Sequence, residues 1–219
     1  MKKMLIIIGV LAIIFVGMAI YKNNNNKNAV TIKEVENIEK YISKIYMWKE
    51  ITNESLPEFD NINNANDLWI WEVIKKNLEE YEISYEDIEF KAKELFGQSF
   101  NKEFPKEGIE TLKYDEETDK YLATEVNLDA MEDMFLLENI QKNKKGYNVE
   151  IVEYLEDYSS EGSVVVRNTN GEEVGRISNI DNETEIKSIV KNNIDKFSRK
   201  QVYLIKEQEN IIVERVEAK

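Results

Sequence analysis

The hydrophobic and polar positions of this chain change their pattern twice along its length. Residues 4–21 are an unbroken apolar run, apolar residues then recur at helical spacing as far as Gly97, and from Gly108 onward they tend to alternate with polar ones. These patterns predict one fully apolar helix, then amphipathic helices, then short strands. Helices followed by an antiparallel meander are typical of an α+β domain.

The apolar run from Met4 to Tyr21 follows two lysines and contains no charged side chain. A helix of this length spans roughly 27 Å, close to the hydrocarbon thickness of a bilayer. We therefore expect residues 1–21 to be a transmembrane signal-anchor. The small residues of the Gly17–Ala19 tripeptide stand where a signal peptidase reads, so that secretion after cleavage behind Ala19 is the alternative.

The run KNNNNKN that follows is polar and has no apolar periodicity, so residues 22–30 are predicted to be an Asn-rich flexible linker. Slightly more positive charge precedes the apolar run than follows it, which favours a cytoplasmic amino terminus and a translocated domain. We expect a single-pass protein of the cell membrane, whose residues 31–219 form one acidic extracytoplasmic α+β domain.

Three amphipathic helices are predicted ahead of the strands. The first begins with a capping box, in which Thr31 and Glu34 satisfy free backbone amides of the first turn. The third begins at Ser84 and ends at Gly97, because glycine readily takes the left-handed conformation that closes a helix. The predicted ranges are residues 31–48, 66–81 and 84–97.

Eight strands are predicted in the alternating region, at 109–114, 120–125, 134–141, 147–158, 163–168, 173–178, 201–206 and 211–216. Asn170-Gly171 predicts a type I′ turn between two of them. A further helix, capped by Asp181 or Asn182 and ending near Phe197, precedes a C-terminal hairpin. The predicted fold is thus an N-terminal transmembrane helix, then three helices packed on a curved antiparallel sheet, with one further helix before the hairpin.

The stretch from Ser84 to Tyr158 contains the motifs ELFG at 94–97 and YDEETDKY at 114–121. A third motif, KGYNVEIVEYLEDYS at 145–159, closes it. The stretch resembles uncharacterised membrane-anchored or secreted extracytoplasmic proteins of AT-rich Gram-positive bacteria. The order of elements is also similar to the nuclear-transport-factor-like (cystatin-like) cone fold. That resemblance implies helices that close over a curved sheet and leave a pocket, but the fold hosts both enzymes and binding modules and so implies no particular activity.

Charge and composition narrow the classes of function. The chain has a formal charge of −14, and since its first 28 residues hold four Lys and no acid, the remaining residues carry −18. Such a domain repels nucleic acid and anionic lipid heads, which excludes nucleic acid as a partner. The acidic surface is interpreted as a solvated one, with attraction of cations or basic partners as the alternative.

The chain contains neither Cys nor His. Their absence excludes disulfides, a lipid-modified Cys anchor, Cys or His zinc sites, and nucleophiles activated by an imidazole base. No cofactor is indicated. Most hydrolase mechanisms are thereby removed, and catalysis through carboxylates is the main one left.

Two acidic groups are candidates for chemistry. The loop with Asp115, Glu116, Glu117 and Asp119 offers oxygen ligands for calcium, although it lacks the Gly and Glu positions of a helix-loop-helix calcium site. A solvated hairpin turn is the alternative interpretation. The second group lies on one predicted strand, and a pair of carboxylates from neighbouring strands could supply acid and base for glycosidic bond cleavage. Its members are Glu153, Glu156 and Asp157. The alternative is chance, because among 43 acids some pair will always be close.

Four further residues are weighed as binding or nucleophilic groups. Trp69 and Trp71 point about 200° apart on a helix and cannot both face one core, so one of them is expected to be exposed or to lie at the rim of the helix. Ser159 and Ser160 have no spacing that supports a Ser-Lys nucleophile. We therefore assign no catalytic, cofactor-binding or metal-binding residue. The predicted function is a membrane-tethered binding domain for a protein or cell-wall partner, with a carboxylate-dependent glycan hydrolase as the alternative.

Overall fold

A computed structural model describes residues 29–78, 80–124, 130–178 and 182–219. The predicted signal-anchor at 1–21 and residues 22–28 of the linker lie outside these ranges. Within the described ranges, no helix combines the length and apolar character that crossing a bilayer requires. The signal-anchor therefore remains a prediction from the sequence.

The described residues contain five α-helices, and the α+β class is confirmed. Capping boxes form at Thr31 and at Ser84, where each hydroxyl accepts the amide of the third helical residue and that residue's carboxylate accepts the amide of the cap. Short 3₁₀ turns lie at Ile62–Asn64 and Ile194–Lys196. The helices are α1 (Ile32–Ile45), α2 (Lys49–Thr52), α3 (Asp67–Lys76), α4 (Tyr85–Phe96) and α5 (Glu183–Asn192).

In the part of the chain that the structure describes, ten strands form two antiparallel sheets, whereas the sequence predicted one sheet. They are β1 (Glu82–Ile83), β2 (Gly108–Ile109), β3 (Leu112–Asp115), β4 (Lys120–Ala123), β5 (Met131–Lys142), β6 (Gly146–Asp157), β7 (Val164–Arg167), β8 (Glu173–Ile177), β9 (Ser198–Glu207) and β10 (Asn210–Ala218). The small sheet has the order β1-β4-β3-β2, and the large one has β10-β9-β6-β7-β8 with β5 also paired to β6.

Strand β6 organises the large sheet. One of its edges pairs with β5 over its whole length. Its other edge is shared, because residues 146–153 pair with β9 and residues 155–157 pair with β7. The C-terminal hairpin of β9 and β10 therefore lies beside the first part of β6, and the hairpin of β7 and β8 lies beside its end.

Each face of β6 belongs to a different hydrophobic core, because alternate residues of a strand point to opposite sides. Tyr147, Val149 and Ile151 pack with α1, α3 and α4 in the larger core. Val152 and Tyr154 face the other way and pack with α5 and its neighbouring strands. Helices α1, α3 and α4 thus cover one face of the large sheet, and α5 covers the opposite face.

Three helices end earlier than their apolar pattern predicts. α5 ends at Asn192 instead of near Phe197, and the 3₁₀ turn Ile194–Lys196 follows it. Side-chain hydrogen bonds account for the other two ends. α1 ends at Ile45 instead of 48 because Tyr46 is extended, and Lys76 donates to the carbonyl oxygens of Ser43 and Tyr46 at 3.0 and 2.6 Å. α3 ends at Lys76 instead of 81, where the Asn77 amide donates to the carbonyl oxygen of Val73 at 2.8 Å.

Two strand connections also differ from the predictions. The predicted strand 109–114 is divided into β2 and β3 at Thr111, whose hydroxyl turns to the carboxylate of Glu72 on α3 at 2.6 Å. The β7–β8 hairpin is confirmed, but its turn is not type I′, because Gly171 has a positive φ and Asn170 does not. The Asn168 carboxamide oxygen instead accepts the amides of Asn170 and Glu172 and so forms the turn.

Candidate functional site

The acids proposed for catalysis are buried on β6, but the strand does not bring all three together. Glu153, Glu156 and Asp157 are each 4–5% exposed. Glu153 points toward the larger core, whereas Glu156 points to the opposite face of the sheet, since the two are an odd number of positions apart. A single acid and base pair made from these two residues is therefore excluded by the strand geometry.

Glu153 is held in an ion pair beneath the segment that follows α2. Its carboxylate lies 3.7 Å from the ammonium nitrogen of Lys200 on β9, and the Tyr46 hydroxyl donates to it at 3.3 Å. Burial raises the pKa of Glu153, an effect that the positive charge of Lys200 opposes. Nearby, Asp133 accepts the Ser55 hydroxyl at 2.9 Å and the Lys49 amide at 2.7 Å. These contacts tie the α1–α2 region to the sheet.

Glu156 has a different environment. It lies directly opposite Glu132 in the β5–β6 register, and the Tyr158 hydroxyl donates to its carboxylate. Burial raises the pKa of Glu156, and the charges of Glu132 and Glu183 add to the increase. Among the described residues no Lys or Arg forms an ion pair with Glu156. Of the four acids on β6, Glu156 is thus the one that has no cation partner among the described side chains.

Asp157 is committed to the turn after β6. It accepts the Ser159 amide at 2.9 Å and the Arg167 guanidinium nitrogen Nε at 2.8 Å. The hydrogen bonds of Ser159, with the charge of Arg167, hold the pKa of Asp157 at about 2. The Ser160 hydroxyl lies 3.4 Å from an Arg176 nitrogen. In the described contacts, neither serine meets a lysine, so the structure gives the Ser-Lys hypothesis no support.

A fourth buried acid on β6, Glu150, was missed in the sequence. Glu150 is 5% exposed. An Arg199 nitrogen lies 3.4 Å from its carboxylate, and the ammonium group of Lys219 lies beside it. The sequence contains a signal for its burial, because Glu150 stands six residues before Glu156 and therefore lies on the same face of the strand. Strand periodicity alone, however, could not show that cations from β9 and the C-terminus would cover it.

The proposed calcium loop is the turn of the β3–β4 hairpin. Asp115 accepts the Thr118 hydroxyl at 2.6 Å and its amide at 3.2 Å, and Asp119 accepts the Tyr114 hydroxyl at 2.5 Å. Two of the proposed ligands are thus engaged within the turn itself. Across the ranges that the structure describes, no group of three or more acidic side chains is arranged to hold a metal ion.

The expectation that Trp69 or Trp71 is exposed is wrong, because α3 is buried on both sides. Trp69 is 0% exposed and packs between Phe59 and Phe96 in the larger core. Trp71 points the other way, is 3% exposed, and contacts Phe104 edge to face at 5.1 Å between ring centroids. The segment after α4 and the small sheet cover this second side, which the helical pattern alone could not reveal.

The most exposed large apolar side chain of the described residues is Phe90 on α4, at 71%. An aromatic ring held in water by a helix is a typical anchor for a binding partner, because its burial on association releases a large apolar area. Sequence reasoning missed Phe90, since the apolar stripe of α4 consists of Ile88, Ala92, Leu95 and Phe96 and leaves Phe90 outside it.

Three shallow cavities adjoin α4 and share their borders. One of about 340 Å³ lies between Phe90 and the β9–β10 turn, and one of about 200 Å³ lies between Phe90 and the residues around Leu78. The third, about 260 Å³, separates α4 from α1 and shares Glu94 with the first. We call Phe90 with these three cavities the α4 surface. Its concave relief around one aromatic ring suits a protein segment better than a small molecule.

Comparison of the chain with protein-family models, with curated proteins and with solved structures finds no match.

Proposed function

We propose that the chain is a membrane-tethered extracytoplasmic domain that binds a protein partner through the α4 surface. The single observation that carries the binding role is the exposure of Phe90, 71%, between two concavities on a helix otherwise fixed by the core. The tether is supported by the apolar run from Met4 to Tyr21 and the polar linker that follows.

Electrostatics around Phe90 favour a partner with both polar and apolar groups. Lys91 and Lys93 flank the ring on α4, and Asp87 and Glu94 border the cavities beside them. Mixed charges around an aromatic centre resemble the polar rim of a protein interface, where the rim gives register and the buried centre gives affinity. The partner is therefore expected to insert an apolar side chain beside Phe90.

Photocrosslinking in intact cells tests the binding role. A photoreactive phenylalanine analogue placed at Phe90 in the full chain should crosslink to a discrete partner band, and the same analogue at Asp195, exposed beyond α5, should not. Phe90→Ala should lower the affinity for that partner at least about tenfold, as expected when an interface anchor is lost. Equal crosslinking from both positions would contradict a binding role for the α4 surface.

Cysteine labelling tests location cleanly, because the chain has no Cys of its own. A single cysteine in place of exposed Glu161 should react with a membrane-impermeant maleimide in intact cells. Reaction only after cell lysis would place the domain in the cytoplasm and overturn the extracytoplasmic part of the proposal.

A carboxylate-dependent glycan hydrolase is the second candidate, and the pair Glu156 and Glu132 is the observation that favours it. Directly opposed strand residues have Cβ atoms about 5 Å apart, so that their carboxyl groups can reach the separation used by retaining glycosidases. Glu156 is only 4% exposed, however, and the Tyr158 hydroxyl occupies its carboxylate. Release of reducing sugar from cell-wall glycan, abolished by E156Q, would establish this candidate over the first.

A further inference from the structure

The chain enters the domain at one end of β6. Glu34, in the first turn of α1, accepts the Tyr147 hydroxyl at 2.7 Å and pairs with the ammonium group of Lys142 at 2.7 Å. Lys142 and Tyr147 face each other at the tip of the β5–β6 hairpin, and Lys206 of β9 lies 3.6 Å from the same carboxylate. The linker therefore meets the domain beside this hairpin tip.

Positive charge is concentrated at the same tip. A concavity of about 540 Å³ there is lined by four lysines and a single carboxylate, that of Glu214. Lys144 and Lys145 lie on the exposed turn, where Lys145 is 3.7 Å from Glu214. Within the described residues Lys144 forms no ion pair. We call this set the lysine face, and its members are Lys142, Lys144, Lys145 and Lys206.

The opposite end of β6 is acidic. Glu132, Glu156 and Glu183 lie near one another there, and Glu161 is exposed on the β6–β7 turn. The twelve residues of β6 separate this end from the lysine face by about 36–40 Å, at roughly 3.3 Å per residue. The lysine face, where the linker enters, and this group of acids thus lie at opposite ends of β6.

The linker keeps that end close to the predicted anchor. From Tyr21 to Ala29 the chain reaches at most about 28 Å when fully extended, and a flexible chain of this length has a mean span of roughly 15 Å. The Debye length at physiological ionic strength is about 8 Å. Held this close to the membrane, the lysine face needs only a short approach to come within that distance of the membrane surface.

We propose that the lysine face docks on the anionic headgroups of the membrane that anchors the chain, so that the domain stands on its hairpin tip with its acidic end outward. The inference rests on the proposed membrane tether. Each lysine near an anionic bilayer raises the binding constant by about fivefold. The tether adds to this by holding the domain at a high effective concentration near the bilayer. The net charge of the domain alone would repel it from an anionic membrane. Because its lysine face and its acidic end lie at opposite ends of β6, the membrane attracts one end, repels the other and so orients the domain.

Depth-sensitive quenching in reconstituted full chain tests the docking. One fluorophore is attached to a cysteine in place of Gln141, beside the lysine face, and in a second sample to one in place of Glu161 at the far end. Vesicles carry a nitroxide quencher in the headgroup region and contain either phosphatidylcholine alone or about 30 mol% phosphatidylglycerol. Quenching at 141 should exceed quenching at 161 several-fold in the anionic vesicles only. It should fall in about 1 M NaCl, where the Debye length is about 3 Å.

Charge variants give the matched control. K144Q/K145Q should lower the docking equilibrium constant by about five- to 30-fold, whereas K106Q/K113Q removes the same charge beside and within the small sheet and should leave quenching unchanged. Equal quenching at 141 in both lipids, with chain still bound to vesicles, would overturn the docking alone. Failure of the full chain to float with vesicles at high salt would overturn the membrane tether and the docking with it.

Discussion

The ammonium nitrogen of Lys200 lies 3.7 Å from the carboxylate of Glu153, and both side chains are almost fully buried. The Lys200 side chain also donates to the carbonyl oxygen of Leu56, so it joins β9 to the segment after α2. A buried charge that loses its partner keeps its desolvation cost and gains nothing in return. The pair therefore stabilises the domain less by its attraction than by the cost of breaking it.

Lys200→Met is expected to lower the free energy of unfolding by about 3–5 kcal/mol at neutral pH, because Glu153 is left buried without a cation. The double variant K200M/E153L should recover most of this loss. Urea unfolding of the single and double variants measures both values. A double variant no more stable than K200M would show that the loss comes from packing and not from the uncompensated charge.

Glu156→Gln is expected to stabilise the protein above neutral pH. Burial raises the pKa of Glu156, so the folded state favours the protonated acid and loses stability as the pH rises through that pKa. Glutamine keeps an oxygen for the Tyr158 hydroxyl and cannot ionise. Thermal melting should show E156Q above the parent at about pH 8 and equal to it near pH 4.

The control for this pH effect is Glu161→Gln, which removes an acid from an exposed turn. Its melting temperature should follow that of the parent at both pH values. An E156Q variant that is less stable than the parent at about pH 8 would show that the ionised Glu156 carboxylate is favourably solvated in the fold.

Tyr41→Phe is expected to cost about 2–4 kcal/mol. The buried Tyr41 hydroxyl donates to the carbonyl oxygen of Leu95 and accepts the amide of Val213, both at 2.8 Å, so its removal leaves two buried backbone groups unpaired. Urea unfolding measures the loss. Tyr203→Phe, which removes a surface hydroxyl bonded to Glu217, is the matched control and should cost no more than about 0.5 kcal/mol.

Gly146→Ala is expected to destabilise the protein by about 3 kcal/mol or more, because the new Cβ would lie 2.1 Å from the carbonyl oxygen of Leu204 across the sheet. Gly171→Ala meets no atom within 4 Å and carries only the strain of a φ of +85°, about 1 kcal/mol. Equal melting temperatures for the two variants would mean that β6 and β9 can separate locally without cost.

Much of the secondary structure follows from the sequence, because caps and alternation are local. The capping boxes at Thr31 and Ser84 and the strand after Gly146 lie within a residue of their predicted positions. Short elements escape such reasoning. α2 and β1 are too brief to show periodicity, and β1 exists only because Glu82 and Ile83 find a partner in β4.

The candidate surfaces depend on long-range packing that no local pattern encodes. Glu153 is one of the acids considered for glycosidic bond cleavage, yet Lys200, 47 positions later, makes it half of an ion pair. Phe90 is one aromatic residue among many until the helix places it in water. The lysine face similarly joins residues of β9 and the β5–β6 turn that come together only when β9 pairs with β6.

Because β6 contributes one face to each hydrophobic core, the two halves of the domain cannot melt separately. Loss of the packing under α5 would free the end of β6 and weaken the register that the N-terminal helices depend on, and the reverse holds equally. The domain should therefore unfold in one cooperative transition, with coincident curves for tryptophan fluorescence and far-ultraviolet dichroism. Because one strand is shared by two cores, a substitution that disrupts packing at the acidic end of β6 should also destabilise the end that carries the lysine face.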